Sequence, residues 1–453
     1  MLQKIGAKKI KRKGVSQTQY IALGFLMMVL FGAFLLMLPI SSASGEWTDF
    51  LSALFTSTSA SCVTGLVVFD TYTHWSLFGQ LVLITLIQIG GLGFITFGVV
   101  FSVLFRRKIG LRDRGRMQES IGALQLSGIV VLAKKIAIGT AIVEGTGAIL
   151  LAIRFIPKMG FIRGLYYGIF HSISAFCNAG FDLMGRFEAY SSFVAYQDDL
   201  LVNITLVLLI LIGGLGFVVW DDMTIHGFNF KKYNLHTKLV LTGALTFTVL
   251  GTIFFYIFEN HGVLEGLSPV GKFCSSLFGA VTPRTAGFNT TPTEEMSAAG
   301  QILTLILMLV GGNSGSTAGG VKVTTVMVLF LFVLASLRQS SSVEVFGRRL
   351  STDTVKKAAV VFTINLTLGV AAAMALCAIQ GFSLGDSLFE TFSAVNTVGM
   401  TTGITRELNS VSRVIIILMM YIGRIGSLTF ALSFMRKKDT DIVKLPVEEI
   451  SVG

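Results

Sequence analysis

The groups in this chain best placed to do chemistry belong to its backbone. Four short segments, Val63-Thr64-Gly65, Asn178-Ala179-Gly180, Thr285-Ala286-Gly287 and Thr397-Val398-Gly399, recur between a short amphipathic stretch and a long apolar one. Subtracting 65, 180, 287 and 399 in turn places the central glycines 115, 107 and 112 residues apart. Glycine permits positive φ, so successive carbonyls can point at one axis. Such carbonyls replace the water shell of a cation without a full negative charge that would trap it. One such glycine would read as an ordinary turn. Four in one register read as the filter of an ion-selective pore, with a permeating cation held by backbone carbonyls.

Two further features belong to the same chemistry. The run Gly311-Gly312-Asn313-Ser314-Gly315-Ser316-Thr317-Ala318-Gly319-Gly320 interrupts an apolar span. Five glycines with four Ser, Thr and Asn residues do not sustain a lipid-facing helix, so the run must lie against water or protein. A phosphate-binding loop needs lysine directly after its second glycine. Here Gly320 is followed by Val321 and only then Lys322, and the flanks are apolar spans. The run therefore reads as a polar loop against water or protein, with a merely kinked helix as the alternative. Arg424 lies mid-span between Met419-Met420-Tyr421 and Leu428-Thr429-Phe430. A mid-bilayer arginine costs about 2.5–3.5 kcal/mol, so it should face a cavity and bond to loop groups or form a positive barrier under the filter. Glu144 is an acid deep in a span. It reads as a partner for polar groups of a neighbouring helix, with a coupling site as the sharper alternative.

The elements that must position these groups are set by composition. Of 453 residues, 53% are hydrophobic and 13% charged, far below the roughly 25% charged residues of soluble domains. Stretches such as Tyr20–Pro39, Phe78–Phe105 and Val355–Gln380 are long enough to cross about 30 Å of hydrocarbon. The reading is an all-α integral membrane protein. Each of four repeats has an outer helix, a re-entrant half-helix, a glycine turn and an inner helix, giving eight spans in a pseudo-four-fold arrangement around one pore. The half-helices fall near Thr48–Ser61, Gly164–Cys177, Val270–Val281 and Gly385–Val395. The inner helices fall near Phe78–Phe105, Leu200–Trp220, Gln301–Ser336 (broken by the polar run) and Val411–Met435. The repeats divide the chain at 1–120, 121–233, 234–350 and 351–453.

The net charge of +11 is clustered, with six Lys/Arg in Lys4–Lys13 and six in Arg106–Arg116. Eight spans put these clusters and both termini on one side, which the positive-inside rule makes cytoplasmic. Topology explains the basic patches. Nucleic acid is not expected as a partner, whereas membrane lipid is. The basic start followed by the long stretch from Tyr20 reads as a retained span, since about 20 apolar residues exceed a signal core. Cys62, Cys177, Cys274 and Cys377 lack C-x-x-C spacing and read as small packing residues.

"SCVTGL", "FCNAGFD", "VTPRTAGFN" and "NTVGMTTG" resemble the pore loops of the Trk/Ktr/HKT potassium-transporter superfamily. "QIGGLGF", "LIGGLGF" and "YIGRIGSLTF" resemble its inner helices. The likeness covers nearly the whole chain and points to the Ktr-type membrane subunit, which lacks the extra N-terminal spans of Trk-type relatives. It implies potassium uptake in a bacterial plasma membrane, since a glycine at all four filter centres goes with potassium selectivity. It further implies that Gly311–Gly320 and Arg424 form the gate and that the membrane subunit is a homodimer. A cytoplasmic RCK-type ring would supply the nucleotide binding that this chain lacks. Sodium is implied as an activator, with no residues to point to as its site. An enzyme is not expected. The rival function is a secondary symporter coupling potassium to sodium or protons. Such proteins usually show two-fold inverted repeats with midplane acids, whereas these repeats are four and share one orientation.

Overall fold

A computed structural model describes residues 17–93 and 128–434, together with the single positions 115 and 448. The basic clusters at Lys4–Lys13 and Arg106–Arg116, the second half of the first inner span and the tail from Arg436 lie outside the described residues.

Among the described residues the helices follow one another in the order outer helix, half-helix, inner helix. The outer helices are α1 (Gln17–Met37), α5 (Ile129–Met159), α9 (Leu235–Glu259) and α13 (Thr352–Gln380). The half-helices are α2 (Phe50–Cys62), α6 (Phe161–Phe176), α10 (Pro269–Val281) and α14 (Leu384–Val395). The inner helices begin with α4 (Leu77–Leu92), α7 (Leu200–Gly214), α11 (Ala298–Leu309) and α15 (Ser410–Ile425). A one-turn helix, α3 (Thr71–His74), follows the first glycine turn. A two-stranded ribbon, β1 (Glu344–Val345) with β2 (Arg348–Arg349), joins the third repeat to the fourth.

The inner helices depart from expectation. Continuous spans over Leu200–Trp220 and Val411–Met435 are not observed. The first breaks between α7 and α8 (Phe217–His226), which are bent by 94°. The second breaks between α15 and α16 (Ser427–Phe434). Gly216 at φ 96° and Gly426 at φ 94° stand at these breaks, and Gly93 at φ 81° ends α4 in the same way. Such φ values suit glycine and leave the helical path. The third inner helix is interrupted as expected and resumes at α12 (Val323–Leu337). By length and composition α1, α5, α9 and α13 are each sufficient to cross a membrane, and the bent α7–α8 pair makes a fifth. The chain is a multi-pass membrane protein.

Local chemistry starts the elements. All four inner helices open on a side-chain cap: Ser76 accepts from Gly79 N–H, Asp199 from Leu201 and Val202, Ser297 from Gly300, and Asn409 from Ser412. Each cap contributes about 1 kcal/mol. Three half-helices open likewise, on Asp49, Ser268 and Ser383.

Packing then orders the repeats. Each half-helix packs against its own outer helix and its own inner helix. The inner helix also meets the half-helix of the next repeat: α4 meets α6, α7 meets α10, α11 meets α14, and α15 returns to α2. The contacts form a closed cycle. Phe55, Phe170, Phe278 and Phe389, one from each half-helix, are among the largest fully buried side chains. Glycines of the second cluster let backbones touch, since a Cβ on Gly90, Gly213 or Gly423 would collide with the carbonyl of Ser61, Phe176 or Val395 respectively. Without a hydrophobic drive in lipid, this close approach is a main source of helix association.

Candidate functional site

The four glycine turns come together at the C-terminal ends of the half-helices. Gly65, Gly180, Gly287 and Gly399 have φ of 100°, 70°, 79° and 91°. They are also in mutual contact. A Cβ on Gly65 would lie 2.6 Å from the Ala179 carbonyl oxygen. One on Gly180 would lie 2.8 Å from that of Ala286, and one on Gly287 2.7 Å from that of Val398. One on Gly399 would strike the Thr64 oxygen. Each glycine thus abuts the carbonyl just before the glycine of the next turn, and the fourth closes on the first. No side chain fits at these four centres.

Sequence reasoning placed positive φ on the glycines alone. The structure adds a second set two residues earlier: Val63 at 57°, Asn178 at 59°, Thr285 at 77° and Thr397 at 52°. Three of these are β-branched, for which left-handed backbone is rare and costs on the order of 1–3 kcal/mol each. The hydrogen bonds show what holds them. Val63 N–H reaches Ala60 O at 3.2 Å and Thr64 N–H reaches Ser59 O at 2.8 Å. Asn178 and Ala179 repeat the pair on Ala175 and Ser174, as do Thr397 and Val398 on Ala394 and Ser393. This is a Schellman-type helix end, which usually uses glycine at the left-handed position. Here the glycine is displaced to the ring, and the cap falls on larger residues.

The same three serines, and Thr282 in the third repeat, clasp the turns with their hydroxyls. Ser59 Oγ accepts from Gly65 N–H and Ser393 Oγ accepts from Gly399 N–H, both at 3.0 Å. Ser174 Oγ donates to Phe181 O at 2.7 Å and Thr282 Oγ1 donates to Phe288 O at 2.6 Å. Sequence reasoning missed these four residues. The available signal was a Ser-Ala pair that begins six residues before the glycine in three of the repeats.

On one side of the ring the turns continue into polar loops. Glu390 accepts from Thr401 at 2.7 Å and from Thr405 at 2.5 Å, and so ties the fourth turn to the chain that follows it. Asp182 follows the second turn and accepts from Met184 N–H at 2.9 Å. Burial pushes its carboxyl up to about 7.

The Gly311–Gly320 run lies against the other side of the ring. A Cβ on Gly311 would lie 3.5 Å from Thr285 Cγ2, and one on Gly319 would collide with the Thr397 side chain. The loop is held by several repeats. Asn313 Nδ2 donates to Gly214 O at 2.9 Å, and Thr317 Oγ1 donates to Phe176 O at 3.2 Å. Phe217 N–H donates to Gly315 O at 2.8 Å, and Val321 N–H to Asn396 Oδ1 at 3.2 Å. Arg424 does bond to loop groups. Its Nη1 donates to Thr317 O, and its Nη2 donates to Gly90 O and, at 3.1 Å, to Gly91 O. One side chain of the fourth repeat thereby joins the third repeat to the first. Beyond the loop is a cavity of about 350 Å³, whose lining includes Ser314, Lys322, Asn365, Arg424 and Ser427.

Glu144 faces a neighbouring helix as its bland reading required: Gln88 Nε2 donates to Glu144 Oε2 at 3.3 Å. All four cysteines are free thiols, and Cys62, Cys177 and Cys274 are buried. Like Glu390 and Asp182, two further charges, both buried, were not singled out from sequence. Arg284 donates to Ala244 O at 3.2 Å and to Thr248 Oγ1 at 2.6 Å. Glu259 accepts from Ser297 N–H and Oγ at 3.0 and 2.7 Å, at the start of α11. There the helix dipole favours an anion.

The chain is 39% identical to the potassium/sodium uptake protein NtpJ of Enterococcus hirae, over 98% of this chain and 99% of the relative. It is 40% identical to the Ktr system potassium uptake protein B of Bacillus subtilis, over 98% and 99%. The crystal structure of the potassium transporter TrkH from Vibrio parahaemolyticus superposes with a TM-score of 0.74 at 21% identity. That match covers 95% of this chain and 86% of the other, and it shows a shared fold. The TrkH family model, described as a cation transport protein, matches residues 7–444, and the chain belongs to that family of transporters.

Proposed function

We propose that this chain is a gated potassium uptake pore. The observation that carries the reading is the closed cycle of four glycine turns, each abutting the carbonyl that precedes the next glycine. In this reading the segments Val63–Gly65, Asn178–Gly180, Thr285–Gly287 and Thr397–Gly399 are the selectivity filter, in pseudo-four-fold arrangement within eight spans. Positive φ at the first and third residue of each segment turns successive carbonyls toward one axis, where potassium exchanges water for backbone oxygen. The C-terminal ends of the half-helices converge there, and their partial negative charge favours a cation. The names of the 39% and 40% identical relatives, both potassium uptake proteins, support potassium as the ion.

The loop Gly311–Gly320, tied down by Arg424, is the gate. It lies between the ring and the cavity, and an ion leaving the ring meets it. A cytoplasmic regulatory subunit of RCK type, working on a homodimer of this chain, biases the loop between poses. Relatives named as Ktr system components support a multi-part system. Sodium is an activator, and the protein sits in a bacterial plasma membrane with both termini cytoplasmic. Passive flow, with direction set by the membrane potential, distinguishes this from the symporter reading.

The test is potassium uptake in a cell lacking its own potassium transport, with and without the regulatory subunit, followed by reversal potentials in liposomes. Uptake should restore growth at low potassium, and the reversal potential should follow the potassium gradient alone. A reversal potential that moves with an imposed sodium or proton gradient would establish the symporter instead.

A further inference from the structure

We propose that the carbonyls of Ala318 and Gly319 form an inner potassium site, which in this conformation is filled by the protein's own ammonium group on Lys322. The proposal rests on the gate reading above and adds a residue and an ion site to it. Lys322 Nζ donates to Ala318 O at 2.8 Å and to Gly319 O at 2.9 Å. The preceding loop carbonyl, Thr317 O, is taken by Arg424. Three consecutive loop carbonyls therefore each bind a cationic side chain. Carbonyl oxygens so arranged are the ligand set that potassium uses when it sheds water. An ammonium group is a compact monovalent cation that competes for the same oxygens.

A second observation shows that Lys322 is not placed there by ordinary helix electrostatics. It is the N-cap residue of α12, and its side chain makes no capping bond. A cation there faces the positive end of the helix dipole. Lys322 and Arg424 both line the 350 Å³ cavity, and no Asp or Glu lines it among the described residues. The ammonium is held by the two carbonyls. Gly315 at φ 70° and Gly320 at φ 61° flank the carbonyl pair and let the loop change pose. When the loop moves, the ammonium leaves and a potassium ion crossing the ring takes its place. While the ammonium stays, the site is closed to potassium by occupancy and by like charge.

The experiment is potassium flux through the full chain in liposomes, without the regulator, for Lys322→Cys before and after thiol modification. The variant should conduct more than the unmodified parent, by on the order of tenfold. Aminoethyl methanethiosulfonate, which restores an ammonium, should return flux to the parent level. Methyl methanethiosulfonate, which adds a neutral group, should leave it high. The parent chain treated with each reagent controls for the four native cysteines. In parallel, cytoplasmic-side butylammonium should block Lys322→Gln and leave the parent unaffected. Parent-level flux in both variants, or equal effects of the two reagents, would overturn the inner site. So would failure of both variants to fold, which would make Lys322 a structural anchor. A deletion of Asn313–Gly319 run alongside separates the two readings. If it conducts freely while the Lys322 variants stay at parent level, the gate stands and the inner site falls. If it too stays at parent level, the gate reading falls with it.

Discussion

Replacing Arg424 by alanine removes three carbonyl bonds from one place: to Thr317 O in the loop, and to Gly90 O and Gly91 O at the end of α4. A hydrogen bond to a charged group contributes about 1.5–3 kcal/mol. The cavity beside Arg424 allows water to reach the released carbonyls in part, so the net loss should equal about one such bond rather than three. A loss of about 2–3 kcal/mol from the closed pose changes the closed-to-open ratio by roughly 30- to 150-fold. Insertion should not suffer, because removing a mid-span arginine relieves a cost of about 2.5–3.5 kcal/mol. Arg424→Lys keeps the charge and loses the planar fork, and should fall between parent and alanine. The assay is regulator-free potassium flux in liposomes, with thermal stability and size-exclusion profile measured on the same preparations. Flux should rise in Arg424→Ala while folding is retained. A folded variant with parent flux and parent response to the regulator refutes the assignment of Arg424 to the gate. A variant that never reaches the membrane makes it a structural anchor.

Gly65→Ser should weaken potassium-over-sodium discrimination, because its Cβ would press on Ala179 O at φ 100°. Uptake over a range of external potassium, with sodium as competitor, reads this, and an unchanged potassium requirement removes Gly65 from the filter. Ser59→Ala and Ser393→Ala each remove the acceptor for a ring glycine N–H, at about 1 kcal/mol. Both should lower selectivity with little loss of expression, and together they should lower it further. Deleting Asn313–Gly319 should raise flux and weaken dependence on the regulator. A folded deletion with parent flux in both conditions would end the gate assignment.

The order of elements was legible along the chain. Half-helices too short to span, four glycines in one register and a polar run inside an apolar span are local facts, and local propensity decides them. The half-helix boundaries read from sequence lie within three residues of α2, α6, α10 and α14. The breaks at Gly216 and Gly426 were not legible. A glycine inside an apolar run is tolerated by a helix as often as it ends one, and neighbouring backbone decides which. The left-handed backbone of Val63, Thr285 and Thr397 was hidden for the same reason. Intrinsic preference opposes it, and at Val63 and Thr397 the helix-end hydrogen bonds and the serine clasp offset the strain.

The sequence by itself determined that this protein lies in a membrane, and it set four glycine turns at matched spacing along the chain. These follow from composition and spacing, which do not depend on what touches what. The tertiary structure alone decided which groups meet. Arg424 reaches across 107 residues to Thr317 and 334 to Gly90. Each glycine finds the carbonyl of the next repeat, and the ammonium of Lys322 finds two loop oxygens. Contacts between residues so far apart arise from the closure of the inner and half-helices into a cycle, and no local pattern encodes a distance across that cycle.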